Sequence, residues 1–471
     1  MRRLRHVLNS PPVMCALWIF VCFSLTSAAW ISWEYNLMTL VKPDVSDIYT
    51  MVIGYLLQAA GAGLTVCALR SRPTLQPRKT ALAALCAFLL VMTPALLSKQ
   101  VIAVIITGLL LNLLCGIIAG LYLYAAAVKT PAEKRGLVFG GGYGASTIFV
   151  FLLSLAGKGS FLRNGSVLFI YLLLAGAAIW LSWMLLRGVD TAADQSSSAR
   201  QPLPRQTWMI ALVCIFLMSL VKNMGFSFPS ADFSAGISVE LSRVFYALGL
   251  VIAGIVNDRS RKLGAVCTAA ALAMPFAMLA LADEKVPGLI FWGLDYLFFG
   301  FFSVYRVVLT MDMAEQTNLW HLAPLGLLAG RLGDAAGTAL CMGLGGERLA
   351  LVLLTLALFI LTVLLFFRLY QALYLPEALQ ERSEREIFED FAIQHDLSAR
   401  EKEVLRLLLA EQPNNQIAET LFVSESTIKY HVHNLLQKTG CKTRQELVRR
   451  YNMLLYPQIS GSAASANSRN G

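Results

Sequence analysis

Apolar residues in this chain are gathered into runs long enough to cross a bilayer, and polar residues fall between the runs. A membrane-spanning helix needs about 20 predominantly apolar residues. Such stretches lie near 13 to 33, 48 to 69, 80 to 98, 101 to 128, 137 to 156 and 166 to 187. Six more lie near 208 to 228, 236 to 257, 263 to 282, 288 to 311, 320 to 342 and 349 to 370. A linker over residues 188–207, with Ser196, Ser197, Ser198 and two prolines, has the composition of a flexible loop and divides the chain as six spans plus six.

Past residue 371 the runs shorten. Residues 372–395 form an acidic connector: from 377 to 396 seven acids (Glu377, Glu381, Glu384, Glu386, Glu389, Asp390, Asp396) stand against Arg382 and Arg385. A helix here would carry a broken apolar stripe through Leu379, Ile387, Phe388 and Phe391, suited to a partner helix. The alternative is a solvated spacer that keeps the C-terminal segment away from an anionic membrane surface.

From 396 to 455 the pattern predicts four short amphipathic helices. A capping box, Ser398 to Glu401, opens the first, whose buried face is Val404, Leu405, Leu408 and Leu409. Asn414 starts the second through Ile417, Ala418 and Leu421. Ser424 caps the third, Glu425 to Thr439, with Ile428, Val432, Leu435 and Leu436 at helical spacing and Gly440 as its stop. A second capping box, Thr443 to Glu446, opens the fourth, with Leu447 and Val448. The stretch from Pro457 onward, rich in Ser, Ala, Asn and Gly, reads as disordered.

The expected fold is therefore all-α: a polytopic membrane bundle of about twelve spans with a small four-helix domain at its C-terminus. Its parts are 1–187 (first half), 188–207 (linker), 208–371 (second half), 372–395 (connector), 396–455 (helical domain) and 456–471 (tail).

Composition agrees. Of 471 residues, 57% are hydrophobic and 14% charged, against about 25% charged in soluble proteins. The formal charge of +10 lies largely in short loops beside the spans. Arg70, Arg72, Arg78 and Lys79, then Lys129, Lys134 and Arg135, then Arg187, Arg200 and Arg205, then Arg259, Arg261 and Lys262 all fall on the side shared with Arg2, Arg3 and Arg5. By the positive-inside rule that side is cytoplasmic, which places both termini inside the cytoplasmic (inner) membrane. Lys158 and Arg163 run against the rule, as do the isolated Lys42, Lys99, Lys285 and Arg348. The basic start and the apolar run from Val13 have the look of a signal peptide, expected to stay uncleaved because the run is longer than a signal core.

The nine cysteines are scattered, mostly inside apolar runs and without a CxxC, so neither a zinc site nor a disulfide framework is expected. No phosphate-cradling glycine loop, metal-ligand cluster or nucleophile motif is present, so the expectation is a non-enzyme without metal or cofactor.

An ionisable side chain near the bilayer centre is costly unless paired or hydrated, and each is a site candidate. Asp295 falls in the tenth span, and Arg331 and Asp334 near the middle of the eleventh. Gly326, Gly330, Gly333 and Gly337 flank that pair after Pro324, so this helix can pack closely or break to form a site. Asp334 and Arg331, three residues apart, can also simply neutralise each other. Arg243, Lys222, Glu34 and Arg306 are weaker candidates that could snorkel to an interface. Trp292, Tyr296, Phe298 and Phe299 are read as lipid-facing or packing residues.

Two stretches carry family resemblances. Gly254-Ile-Val-Asn-Asp258-Arg259-Ser-Arg261-Lys262 resembles the cytoplasmic loop signature of the major facilitator superfamily. With the six-plus-six layout this implies a major-facilitator-like bundle over residues 13–370, in which the loop marked by Gly254, Asp258 and Arg259 bridges neighbouring helix ends through its acid and its arginines. The loop after the second span lacks the Gly and Asp, and the bland alternative for Asp258-Arg259 is a basic loop.

The second resemblance runs through the whole tail: Ser398-x-Arg400-Glu401-x-Glu403-Val404-Leu405, Asn415-x-Ile417-Ala418, Val423-Ser424-x-x-Thr427-Ile428-Lys429-x-His431-Val432-x-Asn434-Leu435 and Lys438-x-Gly440 look like the LuxR-type helix-turn-helix. Gln412-Pro413-Asn414 replaces its usual glycine-containing turn, and Tyr430 and His433 are unusual where they stand. Independently, residues 424–451 hold six bases (Lys429, Lys438, Lys442, Arg444, Arg449, Arg450) against Glu425 and Glu446, the footprint a phosphate backbone requires. The resemblance implies that the third helix enters the major groove of double-stranded DNA. Lys429, Tyr430 and His433 would then meet base edges, Ser424, Ser426 and Thr427 phosphates, and Lys438 the backbone irrespective of sequence. A solvated Lys429 is the alternative there, and for His431 a core-packed or phosphate-bonded ring. The resemblance further implies a homodimer on DNA through the fourth helix, near Arg444 to Tyr451.

The expected function is a membrane-bound one-component transcription regulator, whose bundle senses a small-molecule ligand or membrane state and whose tail binds DNA. No phosphate-receiver domain precedes the tail, so aspartyl phosphorylation within this chain is not expected. The competing reading is a major-facilitator-like solute transporter with a fused DNA-binding tail.

Overall fold

The structure is a computed structural model and describes residues 10–71, 77–156, 165–186, 203–226, 239–274, 285–344 and 347–455. Most of the expected linker, the N-terminal arginines, Arg72, Arg187, Lys158, Arg163 and the tail 456–471 lie outside the described residues. Among the described residues all regular structure is helical, in two compact units, residues 1–370 and 371–471.

In the first unit each expected span has its helix: α1 (Pro11–Met38), α2 (Gly54–Ser71), α3 (Pro77–Leu97), α4 (Val101–Lys129), α5 (Arg135–Ala156) and α6 (Gly165–Leu185) in the first half. The second half has α7 (Arg205–Phe226), α8 (Val239–Arg259), α9 (Arg261–Ala271), α10 (Lys285–Gln316), α11 (Leu325–Leu344) and the start of α12 (Arg348–Gln394). The second part of the ninth expected span lies outside the described residues. Helices are the natural outcome of this pattern, because a lipid-bathed backbone must satisfy its own N–H and C=O groups. Pro11 and Pro12 open α1, where a missing N–H costs nothing. Eight of the described helices are long and apolar enough to cross a membrane by length and composition alone. The more polar α8 and α11 carry intramembrane charges.

Packing repeats between the halves. In the first, α1 packs on α5 and α2 on α4; in the second, the corresponding α7 packs on α11 and α8 on α10. The halves meet through two equivalent seams, α5 against α8 and α2 against α11. Equivalent pairings and reciprocal seams are what two parallel repeats about a shared axis produce. At the α5–α8 seam Gly136 and Gly254 face each other so closely that a Cβ on either would fall 2.5 Å from the other's carbonyl oxygen. Small residues admit such backbone approach.

The second unit contains α13 (Ala399–Leu409), α14 (Asn414–Thr420), α15 (Glu425–Thr439) and α16 (Arg444–Leu455). The capping box forms as expected: Ser398 Oγ accepts from the Glu401 amide and Glu401 Oε2 accepts from the Ser398 amide at 2.8 Å. Ser424 caps α15, and Gly440 stops it at φ +69°, a left-handed conformation that glycine adopts at little cost. The core joins Val404, Leu405, Leu408, Ile417, Ile428, Leu435 and Leu447 to Phe388, Phe391 and Ala392 of the connector. The solvated-spacer reading therefore fails for residues 387–392. Phe391 packs edge-on to Tyr451 at 5.4 Å, and Glu389 pairs with Lys402 at 2.6 Å. A helical domain this small needs the added apolar surface.

Candidate functional sites

The membrane unit assembles an interior charge cluster. Asp334 on α11 is 1% exposed and its carboxylate meets three cations: Lys222 Nζ of α7 at 2.7 Å, Arg331 Nη1 of its own helix at 3.2 Å and Arg306 Nη1 of α10 at 3.5 Å. Asn223 supports it by donating to the Asp334 carbonyl at 2.8 Å and to Thr338. The neighbouring Arg331 guanidinium lies over the ring of Tyr55 on α2 at 4.7 Å, and the Lys222 ammonium over the ring of Phe299 at 4.0 Å. Phe299 abuts Tyr246 at 5.3 Å, which abuts Tyr143 of α5 at 5.5 Å and bonds Ser303 at 2.8 Å. The cluster thus belongs to the second half but is walled by rings from both.

Several expectations change. Arg331 and Asp334 do pair, but not as a self-contained couple. Lys222 and Arg306 do not snorkel; both are buried, because the α11 carboxylate offers them a partner inside. Of the two readings for Phe299, lipid-facing or packing, the second holds, and the ring also covers an ammonium. The glycine-bearing α11 is continuous rather than broken, and its glycines let it approach α10 and α7. A Cβ on Gly330 would collide with Arg306 Nη1, so the missing side chain is what gives the guanidinium its place. Asp295 is buried, itself engaged, and one turn from Phe299 on α10. The contacts seen at Asp334 come instead from the three cations. Arg243 on α8 is partly buried, and its Nε meets no acceptor among the described residues. In the sequence the missed partners had one signal, a lysine and an arginine inside apolar runs; the pairing itself is set by tertiary packing. Trp292 has no described side chain.

The loop motif sits at the α5–α8 seam. Asp258 accepts hydrogen bonds from the backbone amides of Gly136 and Leu137, both at 2.7 Å, and so caps the N-terminus of α5. Of the loop's arginines, Arg259 is exposed and Arg261 makes the bridge, reaching Asp258 at 3.1 Å and Asp312 at 2.6 Å. Arg135 of α5 binds the same Asp312 at 2.7 Å and Glu315 at 2.9 Å. Nothing in the sequence pattern singled out Asp312 or Glu315, which lie near the C-terminal end of α10.

In the second unit the residues expected to meet DNA lie along one side of α15. Ser426, Lys429, Tyr430 and His433 are exposed at i, i+3, i+4 and i+7 spacing, which puts them on one side of the helix. Ser424 is exposed at the cap and Thr427 partly so, and their hydroxyls lie 2.7 Å apart. Lys429 leans on Glu425 at 2.9 Å, an exposed i, i+4 pair worth little. His431 is partly buried, with its ring 5.8 Å from that of Tyr430. Lys438 stands apart: its ammonium donates to Glu401 Oε2 and to the Asp396 carbonyl, both at 2.8 Å, tying the end of α15 to the cap of α13. Burial pushes the Glu401 carboxyl up, but bonds from Lys438 and the Ser398 amide outweigh it and hold the carboxyl below its ordinary value.

Comparison with known proteins separates along the same line. The sequence model for bacterial regulatory proteins of the luxR family matches residues 395–451. The spore germination protein GerE of Bacillus subtilis (strain 168) is 42% identical over 52 residues, covering 11% of this chain and 70% of GerE. The CsgBAC operon transcriptional regulatory protein of Escherichia coli (strain K12) is 46% identical over 52 residues, 11% of this chain and 24% of that one. A probable csgAB operon regulator of Salmonella typhimurium gives the same figures, so the match spans about a quarter of these two relatives. Among solved structures, the human organic anion transporter MFSD10 (TETRAN) superposes with a TM-score of 0.51 at 15% identity, over 75% of this chain and 99% of that one. At that identity the likeness concerns fold alone: the bundle is major-facilitator-like.

Proposed function

Since the chain belongs, through residues 395–451, to the luxR family of bacterial regulatory proteins, we propose that it is a membrane-held one-component transcription regulator. The bundle is the sensor and the C-terminal unit the DNA-binding output. The reading is carried by one observation: a chain that holds a luxR-family DNA-binding domain also holds a bundle with a buried, polyvalent charge cluster at its interior. The basic loops support an inner-membrane bundle with its C-terminus in the cytoplasm, where DNA is accessible. Lys429, Tyr430 and His433 read bases, and Ser424, Ser426 and Thr427 contact phosphates; two copies meet through α16 on the operator. A regulator domain and a transporter-like fold both point away from enzymatic work.

A sensor needs a ligand that binds two bundle states unequally, because one bound equally by both shifts nothing. A transporter must also release it across the membrane. The test compares promoter occupancy by the full chain and by the compact unit 371–471 at matched levels, together with uptake into vesicles carrying the full chain. The sensor reading expects unregulated occupancy by the unit, signal-dependent occupancy by the full chain, and no net uptake. Saturable uptake that survives removal of residues 371–471 would establish the competing transporter reading.

A further inference from the structure

We infer that the Lys222, Arg306 and Arg331 cluster is a binding site for the carboxylate of a small organic acid; the inference deepens the sensor reading and rests on it only for the link to transcription. Neutralising Asp334 would take one cation, yet three approach it. The cluster itself holds three cations, Lys222, Arg306 and Arg331, against the one carboxylate of Asp334. A net positive cluster disfavours a cationic ligand and favours an anionic one.

Hydrogen bonding points the same way. Arg306 is nine-tenths buried, yet its Nε finds no hydrogen-bond acceptor among the described residues, its Nη1 has only the 3.5 Å ion pair with Asp334 and no well-formed hydrogen bond, and Arg331 Nε likewise finds no acceptor. Buried donors without acceptors are costly, and guanidinium nitrogens are matched by anionic oxygens. The rings packed on the cations, Phe299 and Tyr55, with Tyr246 next to Phe299, make the surroundings of the cluster aromatic, the setting that suits the body of such an acid. An organic carboxylate with an apolar part fits these walls better than a bare inorganic anion. Because Tyr55 and Tyr143 come from one half and Tyr246 and Phe299 from the other, a ligand here touches both halves across the seam between them.

The test uses the full-length protein in lipid nanodiscs, with thermal unfolding followed by intrinsic fluorescence. Benzoate and succinate are titrated against their neutral amides, benzamide and succinamide, and against inorganic phosphate. The expected result is a saturable rise in unfolding temperature with at least one carboxylate and none with its amide. Arg306→Met and Lys222→Met should each weaken the apparent affinity about tenfold, while Arg306→Lys keeps most of it. Should Arg306→Met fail to fold, Gly330→Ala displaces the guanidinium while keeping its charge, and weaker carboxylate binding is again expected.

Equal effects of carboxylate and amide, or carboxylate binding indifferent to Arg306→Met, Lys222→Met and Gly330→Ala, would overturn the site. Phosphate outperforming both carboxylates would overturn the organic-acid assignment. Operator binding by the same nanodiscs separates the two readings: a carboxylate that binds but leaves DNA binding unchanged keeps the site and sinks the sensor.

Discussion

Asp334→Asn removes the negative charge around which the interior cluster is built while nearly preserving shape. In the native protein its oxygens lie 2.7 Å from Lys222 Nζ, 3.2 Å from Arg331 and 3.5 Å from Arg306. Deleting one partner of a buried ion pair costs about 3–5 kcal/mol, because the other charge stays buried and uncompensated. At an effective dielectric of about 20, each unit pair near 4 Å is worth about 4 kcal/mol, so the loss of even one pairing reaches that range. Three cations are left facing one another, which sets the expectation at the upper end. The assay is unfolding of the full-length protein in mild detergent, run as a double-mutant cycle with Lys222→Met. Asp334→Asn should be strongly destabilising, and the double variant less so than Asp334→Asn alone, because one of the stranded cations is gone. A loss under about 1 kcal/mol, or strictly additive effects in the cycle, would refute the coupling.

Three further outcomes are expected in the C-terminal unit. Lys429→Ala should cost about 1–3 kcal/mol at the operator and relax discrimination at one position, measured by binding to a randomised operator set; unchanged affinity would remove Lys429 from the groove. Phe391→Ala should cost about 3–5 kcal/mol in urea unfolding of residues 371–471, since Phe391 is buried against Tyr451 in that core, and native-like stability would show the contact to be incidental. The depressed Glu401 carboxyl contributes stability fully present above the ordinary glutamate value of about 4.3 and lost as pH falls through its lower folded value. The unfolding temperature of the unit should therefore drop with acid over that window, and Glu401→Gln or Lys438→Met should flatten the drop.

The helices and caps were legible in the sequence because they are local. Apolar runs of spanning length, Ser398 with Glu401, and Gly440 after Thr439 each act within a few residues. The shared exposed face on α15 was legible for the same reason, since helical spacing alone puts Lys429, Tyr430 and His433 together. The interior cluster was half legible. Arg331 and Asp334 stood out as intramembrane charges, but Lys222 and Arg306 join them from helices 112 and 28 positions away in number from Asp334, and no periodicity encodes that pairing. The same holds for Arg135 with Asp312 and for which of the loop's arginines makes the bridge, Arg261 and not Arg259. Phe388 and Phe391 were legible only as one of two readings: their acidic surroundings suggested a solvated spacer, their stripe a packing face, and the small domain beyond them takes their rings into its core.

The central claim is that this membrane-held chain itself reads DNA through α15. The most direct measurement is chromatin capture of the full-length protein, comparing the native chain with a Lys429→Ala/Tyr430→Ala variant of equal abundance and normal membrane insertion. Discrete genomic sites sharing a sequence motif, occupied by the native chain and lost in the variant, are the predicted result. An absence of enriched sites, or sites retained unchanged by the variant, would contradict it.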